Sequence, residues 1–167
     1  MFLSRRRLVL IGTATVIVGV IVLLPLILTI TLPDLDALSI IVKKIELEDI
    51  SNDNNTATLN VVFNIQNPTD KALTTSKIDY ELIADGELLG EFSKSYIDIP
   101  VNGRPQLLAN TDTNISSVIE APILDKNIRL DLLRNNQAIE NIEWIINGNA
   151  IIESGFSSAS KVFNATW

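Results

Sequence analysis

The chain opens on an apolar stretch that has no period. Residues 8–32 run for 25 positions without a charged side chain, and Ile, Val and Leu fall on every side of the helix they would form. At about 1.5 Å per residue such a helix is about 37 Å long, more than the roughly 30 Å hydrocarbon core of a bilayer. Gly12, Gly19 and Pro25 interrupt the run. A spanning helix tolerates them better than a soluble one does, and Pro25 predicts a kink near the outer third. A cleaved secretory leader would have an apolar region of about 7–15 residues ending at a small-x-small site. The exit here reads Thr29-Ile30-Thr31-Leu32-Pro33-Asp34, so the pattern predicts an uncleaved transmembrane helix over 8–32.

After a linker over 33–39 the apolar period becomes two, the signature of half-buried strands. A first strand over 41–50 is expected to place Ile41, Ile45 and Leu47 on one side and Lys44, Glu46 and Glu48 on the other; the turn cluster Ser51-Asn52-Asp53-Asn54-Asn55 follows. Over 58–66, Leu59, Val61, Phe63 and Ile65 alternate with Thr58, Asn60, Asn64 and Gln66. Asn67-Pro68 ends that strand, because proline has no donor for a ladder. Residues 76–84 oppose Ile78, Tyr80 and Leu82 to Lys77, Asp79 and Glu81. Asp85-Gly86 is then a two-residue hairpin signal, and 87–99 returns as the partner strand with Gly90 marking a bulge. Residues 100–104 form the next turn, and 106–119 a less regular strand.

One helix is predicted over 125–135, with Asp125 as N-cap and Leu124, Ile128, Leu132 and Leu133 at helical spacing. It should cap an open end of the fold. The last strands are 139–152 and 157–167; in the first, Ile142, Trp144, Ile146, Ala150 and Ile152 share a face, with Gly148 in mid-run. Seven strands with turns every 8–15 residues and one helix indicate an all-β antiparallel sandwich.

Charge adds a direction. Arg5, Arg6 and Arg7 precede the apolar run, while all 20 acidic residues follow it against 10 of the 13 basic ones, which leaves residues 33–167 at a formal −10. Arginines beside a membrane stay on the cytoplasmic side, so residues 1–7 read as a cytoplasmic tail and 40–167 as an extracytoplasmic domain in the cell membrane. Lys43 and Lys44 weaken the asymmetry slightly. Ser4-Arg5-Arg6-Arg7-Leu8 also has the look of a twin-arginine export signal, but no cofactor motif accompanies it and the run is longer than such signals need. Sequons at Asn54, Asn114 and Asn164 are candidate glycosylation acceptors compatible with an outside location; Asn67-Pro68-Thr69 is excluded by its proline.

Composition excludes chemistry. With no Cys and no His, the chain has no thiolate or imidazole metal site, no cysteine nucleophile and no histidine-based triad. Its acidic balance argues against a nucleic-acid partner. Glu46, Glu48 and Asp49 read as a solvated strand face rather than an acid–base pair. Asp49-x-Ser51-x-Asp53-x-Asn55 follows the first spacings of a calcium loop but has Asn54 where glycine and Asn60 where glutamate belong, so it reads as a hairpin turn. Neither a phosphate loop nor a nucleophile elbow is present. Trp144 reads as core and Trp167 as an end of the last strand, too few rings for a carbohydrate platform. The sequence thus predicts no enzyme, no cofactor and no metal.

Thr58–Thr69, with its Asn67-Pro68 turn, resembles the strand and turn of the late embryogenesis abundant type 2 family, whose module is also called the water-stress and hypersensitive-response (WHy) domain. Ile78-Asp79-Tyr80-Glu81-Leu82, Asp85-Gly86, Gly90 and Ile99-Pro100-Val101 follow in the family's order, and Trp144 to Ala150 is similar to its penultimate strand with Gly148. The resemblance covers about residues 40–166. It implies an immunoglobulin/fibronectin-like sandwich with one helix, structural motif positions at Asn67, Pro68, Gly86 and Gly148, and a non-enzymatic role linked to desiccation or osmotic stress on membrane-anchored chains. The sequence therefore supports two functions: a membrane-anchored domain that binds or shields, and a structural accessory subunit of an envelope or membrane-protein complex. Gly12 and Gly19, seven apart and nearly on one helix face, would admit a partner helix in the second case.

Overall fold

A computed structural model of the chain describes residues 5–31, 35–51, 56–122, 139–155 and 157–167. The apolar leader forms one helix, α1 (Arg5–Thr31), with Pro25 inside it. Side chains are described without a break over 11–25, and all are exposed except Gly19. Among the described residues no helix is long and apolar enough to cross a membrane, which leaves the membrane reading of 8–32 to the sequence.

Eight strands follow: β1 (Ser39–Ile50), β2 (Thr56–Asn67), β3 (Leu73–Ala84), β4 (Glu87–Ser95), β5 (Gln106–Leu107), β6 (Thr111–Pro122), β7 (Trp144–Ser154) and β8 (Ser157–Thr166). They make two antiparallel sheets, β1-β2-β6 and β4-β3-β7-β8, with β5 pairing to the start of β3 where β4 has left it. The eighth strand arises because the expected strand 106–119 divides around Asn110, whose φ is +57°. The fourth strand ends at Ser95 instead of residue 99, and residues 101–103 form a single 3₁₀ turn. Likewise Ile139–Asn141 is a 3₁₀ turn, so the seventh strand begins at Trp144. The helix expected over 125–135 lies outside the described residues.

Period-two alternation survives wherever the ladder is regular. Leu59, Val61, Phe63 and Ile65 of β2 meet Ile78, Tyr80 and Leu82 of β3 and Trp144, Ile146, Ala150 and Ile152 of β7 in one core. In β1 the expected phase is wrong at its start. Register shifts between Val42 and Lys44 and between Leu47 and Asp49 each insert a residue, and every such bulge moves the following side chains to the other face. Ile40 and Val42 are therefore buried and Ile41 is exposed. Beyond the second shift Asp49 pairs with Thr58, leaving Glu48 unpaired between ladder positions, so Glu46 and Glu48 do not form the regular solvent row expected.

Connectivity gives the sandwich two unlike ends. The chain arrives from α1 at Ser39, and the turns 68–72, 96–105 and 108–110 and Gly155 all lie at that same end, because β1, β3, β6 and β8 leave it and β2, β4 and β7 return to it. We call it the tether end. The Asp85-Gly86 hairpin and the C-terminus lie at the distal end.

Candidate functional site

Asn67 stands at the tether end, only 1% exposed. Its amide nitrogen donates to three carbonyls, Lys71 O at 2.8 Å, Leu107 O at 2.9 Å and Leu108 O at 3.2 Å. Its Oδ1 accepts from the Thr69 N–H at 3.1 Å and the Thr69 hydroxyl at 2.6 Å. One side chain thus joins the end of β2, the turn that follows it and the β5–β6 segment 40 residues away. Pro68 is suited to the next position, since the chain leaves the ladder there and no N–H is required. The corner borders an open depression lined also by Asn110, Thr111 and Asp112, but Asn67 itself is spent on backbone and presents nothing to a ligand.

Gly148 lies mid-way along β7, opposite Tyr80 on one side and Phe163 on the other. A Cβ there would come within 2.4 Å of the Phe163 ring and 2.9 Å of the Asp79 carbonyl. The missing side chain makes room for an aromatic cluster: Phe63 from the opposite sheet packs edge-on against Tyr80 at 5.0 Å and Phe163 at 5.8 Å, a favourable geometry for ring quadrupoles. The Tyr80 hydroxyl crosses between the sheets to Ser117 Oγ at 2.9 Å, both residues being buried. Burial pushes the Tyr80 phenol up to about 12, with the Ser117 bond opposing part of the shift. At the distal end Asp85 (φ +48°) and Gly86 (φ +80°) form the two-residue hairpin, a conformation that glycine adopts without strain. Gly90, opposite Leu82 at the register shift of β3 and β4, lies in the bulge.

The middle of the larger sheet's outer face is polar, bordered by the apolar row Leu88–Ile83–Ile145 toward the distal end and by the exposed Val162 on β8. Rows Ser93–Asp79–Asn149 and Glu91–Glu81–Asn147–Asn164 cross it in register. Lys77 pairs with Asp79 at 2.8 Å, Asn149 bonds Ser160, and Asn164 donates to Asn147. An open depression of about 470 Å³ lies over Asp79, Glu81, Glu91 and Gly148. Burial raises the Asp79 carboxyl, but hydrogen bonds from Lys77 and Ser93 and the Lys77 charge outweigh it, so the group sits below the usual aspartate range. Such a face offers many hydrogen-bond donors and acceptors to solvent. Among the described residues no group of three acidic, His or Cys side chains converges to hold a metal.

The remaining candidates are scattered. Asn114 is exposed on β6, accepting from Asn64 at 2.9 Å and Lys43 at 3.4 Å; Asn164 is exposed on β8; Asn54 and the centre of the calcium-like turn lie outside the described residues. Glu46 pairs with Lys44. Sequence reasoning missed Arg104. Its guanidinium donates to both Glu153 carboxylate oxygens, at 2.9 and 2.7 Å, to Ile99 O at 2.8 Å and to Ile97 O at 3.0 Å, pinning the loop after β4 against β7. An arginine among turn residues, with its carboxylate 49 positions on, carries no local signal.

No protein-family description matches this chain, and no curated protein does. Solved structures do match in fold. A solution structure from Arabidopsis thaliana aligns with TM-score 0.50 at 14% identity over 75% of this chain and 76% of that one. An X-ray structure of a structural-genomics target aligns with TM-score 0.50 at 13% identity over 77% and 85%. A solution structure provisionally assigned as a late embryogenesis abundant protein aligns with TM-score 0.40 at 10% identity over 100% and 93%.

Proposed function

We propose that this chain is a single-pass membrane protein that displays a late embryogenesis abundant type 2 (WHy) domain outside the cell, in a non-enzymatic binding or protective role under desiccation or osmotic stress. In this reading residues 1–7 are cytoplasmic, 8–32 cross the bilayer, 33–39 link, and 40–167 form the domain, an immunoglobulin/fibronectin-like sandwich. The observation that carries it is the uncharged run 8–32 behind Arg5, Arg6 and Arg7, almost all of it inside one continuous helix. An apolar surface on every side of a helix has no stable place in water and a natural one in lipid. The ordered motif set from Asn67-Pro68 to Gly148 supports the family, and the antiparallel two-sheet fold agrees with it. An acidic, hydrogen-bonding outer face retains water and resists non-specific association, which suits shielding better than catalysis.

Protease treatment of intact cells expressing the full chain, tagged separately at each end, tests the topology. The C-terminal tag should be lost and the N-terminal tag retained, and alkaline carbonate should not extract the chain. A protected C-terminal tag would sink the orientation, and extraction would sink the anchor. A second reading, an accessory subunit of an envelope complex, is favoured by Gly12 and Gly19, where an added Cβ meets nothing within 4 Å. Purification in mild detergent separates the two: a stoichiometric partner supports the subunit, a lone chain the shielding domain.

A further inference from the structure

The described sandwich exposes eight large aliphatic side chains, and four of them, Ile97, Ile99, Val101 and Leu108, belong to the tether-end turns, at 54%, 40%, 50% and 56% exposure. The other four, Ile41, Leu88, Val118 and Val162, are spread over four different strands, Leu88 opposite the half-buried Ile83, and do not gather at one end as the first four do. The loop that carries three of the first four is held in shape. Arg104 binds the carbonyls of Ile97 and Ile99 while clamped by Glu153, the Ile99 N–H donates to Tyr96 O and the Gly103 N–H to Pro100 O. With its backbone thus satisfied, the loop leaves these aliphatic side chains 40–56% exposed among the described residues.

The occupant follows from the tether. The helix ends at Thr31, and Leu35 already packs on the sandwich core. Only three residues intervene, so four Cα steps of at most about 3.6 Å hold Leu35, where the chain joins this end of the domain, within about 14 Å of the helix terminus. If that terminus lies at the edge of the hydrocarbon, the end face is confined to the headgroup layer and the water next to it. We propose that the tether end of the sandwich rests on the bilayer that α1 enters, with Ile97, Ile99, Val101 and Leu108 in its interfacial layer. Lys94, stacked 5.7 Å over the Tyr96 ring, stands beside them as the aromatic-and-lysine pairing that interfaces favour. Asp70, Asp98 and Asp112 share this end, so contact is apolar and shallow and needs no anionic lipid.

This proposal rests on the anchor reading, and one preparation tests the two separately. The chain has no cysteine, so Ile97→Cys, Val101→Cys and, at the distal end, Leu88→Cys each give one labelling site on an exposed residue. Full-length variants carrying an environment-sensitive dye are placed in phosphatidylcholine vesicles with and without nitroxide lipids. Dyes at 97 and 101 should show blue-shifted emission and several-fold stronger nitroxide quenching than the dye at 88. Equal, water-like emission at all three sites in carbonate-resistant vesicles would overturn the docking and leave the anchor standing. A blue shift that nitroxide lipids do not quench would place a protein surface there and overturn the docking also. Release of the chain by carbonate would overturn the anchor and the docking with it.

Discussion

Asn67 and Gly148 act in opposite ways, one through what its side chain bonds and the other through having none. Replacing the buried Asn67 with alanine removes a donor from three carbonyls and an acceptor from the Thr69 N–H at a corner that borders open solvent. Buried groups left without partners cost about 1–3 kcal/mol each, but the turn can relax toward solvent, so Asn67→Ala should destabilise by about 2–4 kcal/mol overall. Denaturant unfolding of the detergent-solubilised chain, followed by the fluorescence of the fully buried Trp144, measures it; a change below about 0.5 kcal/mol would mean the corner is an exposed turn. Gly148→Ala should cost about 1–3 kcal/mol or more by overpacking, since the 2.4 Å approach to Phe163 is with a ring held between neighbours. Near-ultraviolet circular dichroism should show the aromatic cluster disturbed in this variant, and an unchanged spectrum would contradict the packing. Asn67-Pro68 was legible as a strand end from proline alone. The triple carbonyl clamp was not, because two of its three acceptors come from a segment 40 residues away.

Among elements, the loop between β4 and β5 depends most on a single contact. Arg104 and Glu153 are each mostly covered, at 12% and 25% side-chain exposure, and the guanidinium is the donor for two loop carbonyls. Arg104→Ala should release the loop and destabilise the chain by about 2 kcal/mol, short of the roughly 3–5 kcal/mol seen when a fully buried pair is broken. Arg104→Lys should recover little of it, because an ammonium cannot reach carboxylate and carbonyls in one planar fork. Hydrogen exchange locates the effect: the Ile99 and Gly103 amides, bonded within the loop, should lose protection while those of β2 keep theirs. Equal loss in both would mean the pair stabilises the whole sandwich and not the loop. The strands themselves were largely legible, since alternation reports which side of a sheet is wet. It misled in β1, where bulges at two points change the phase and nothing in the residue types announces them.

At the scale of the whole molecule, stability should respond to alkali through Tyr80. Its phenol ionises near 10.0 when exposed and near 12 when folded, so the native state holds the proton more tightly. The stabilisation is fully present below about pH 10 and is lost as pH rises toward 12; a shift of two units corresponds to about 2–3 kcal/mol. Tyr80→Phe should flatten that limb, apart from the smaller share of Tyr96, whose phenol burial also raises. Unfolding free energies across pH 8–11.5 would show it, and identical slopes in the two proteins would exclude Tyr80 as the source. On the acid side the depressed Asp79 carboxyl contributes stability above the usual aspartate range and loses it as pH falls through its folded value.

What the sequence by itself determined is whatever the chain decides over short distances. The uncharged run 8–32, the two-residue Asp85-Gly86 turn, the strand end at Asn67-Pro68 and the inward rows of β2, β3 and β7 follow from side-chain polarity and local backbone preference. The lack of Cys and His likewise closed off whole classes of chemistry before any fold was known. Tertiary structure alone decided the order of strands in the two sheets, the pairing of β5 with the start of β3, the partners of Asn67 and Arg104 and the gathering of Ile97, Ile99, Val101 and Leu108 at the end where the chain arrives from α1. These are meetings of residues distant along the chain, fixed by which sheet arrangement buries the most apolar surface while pairing its backbone. A pattern of local polarity has no term for either.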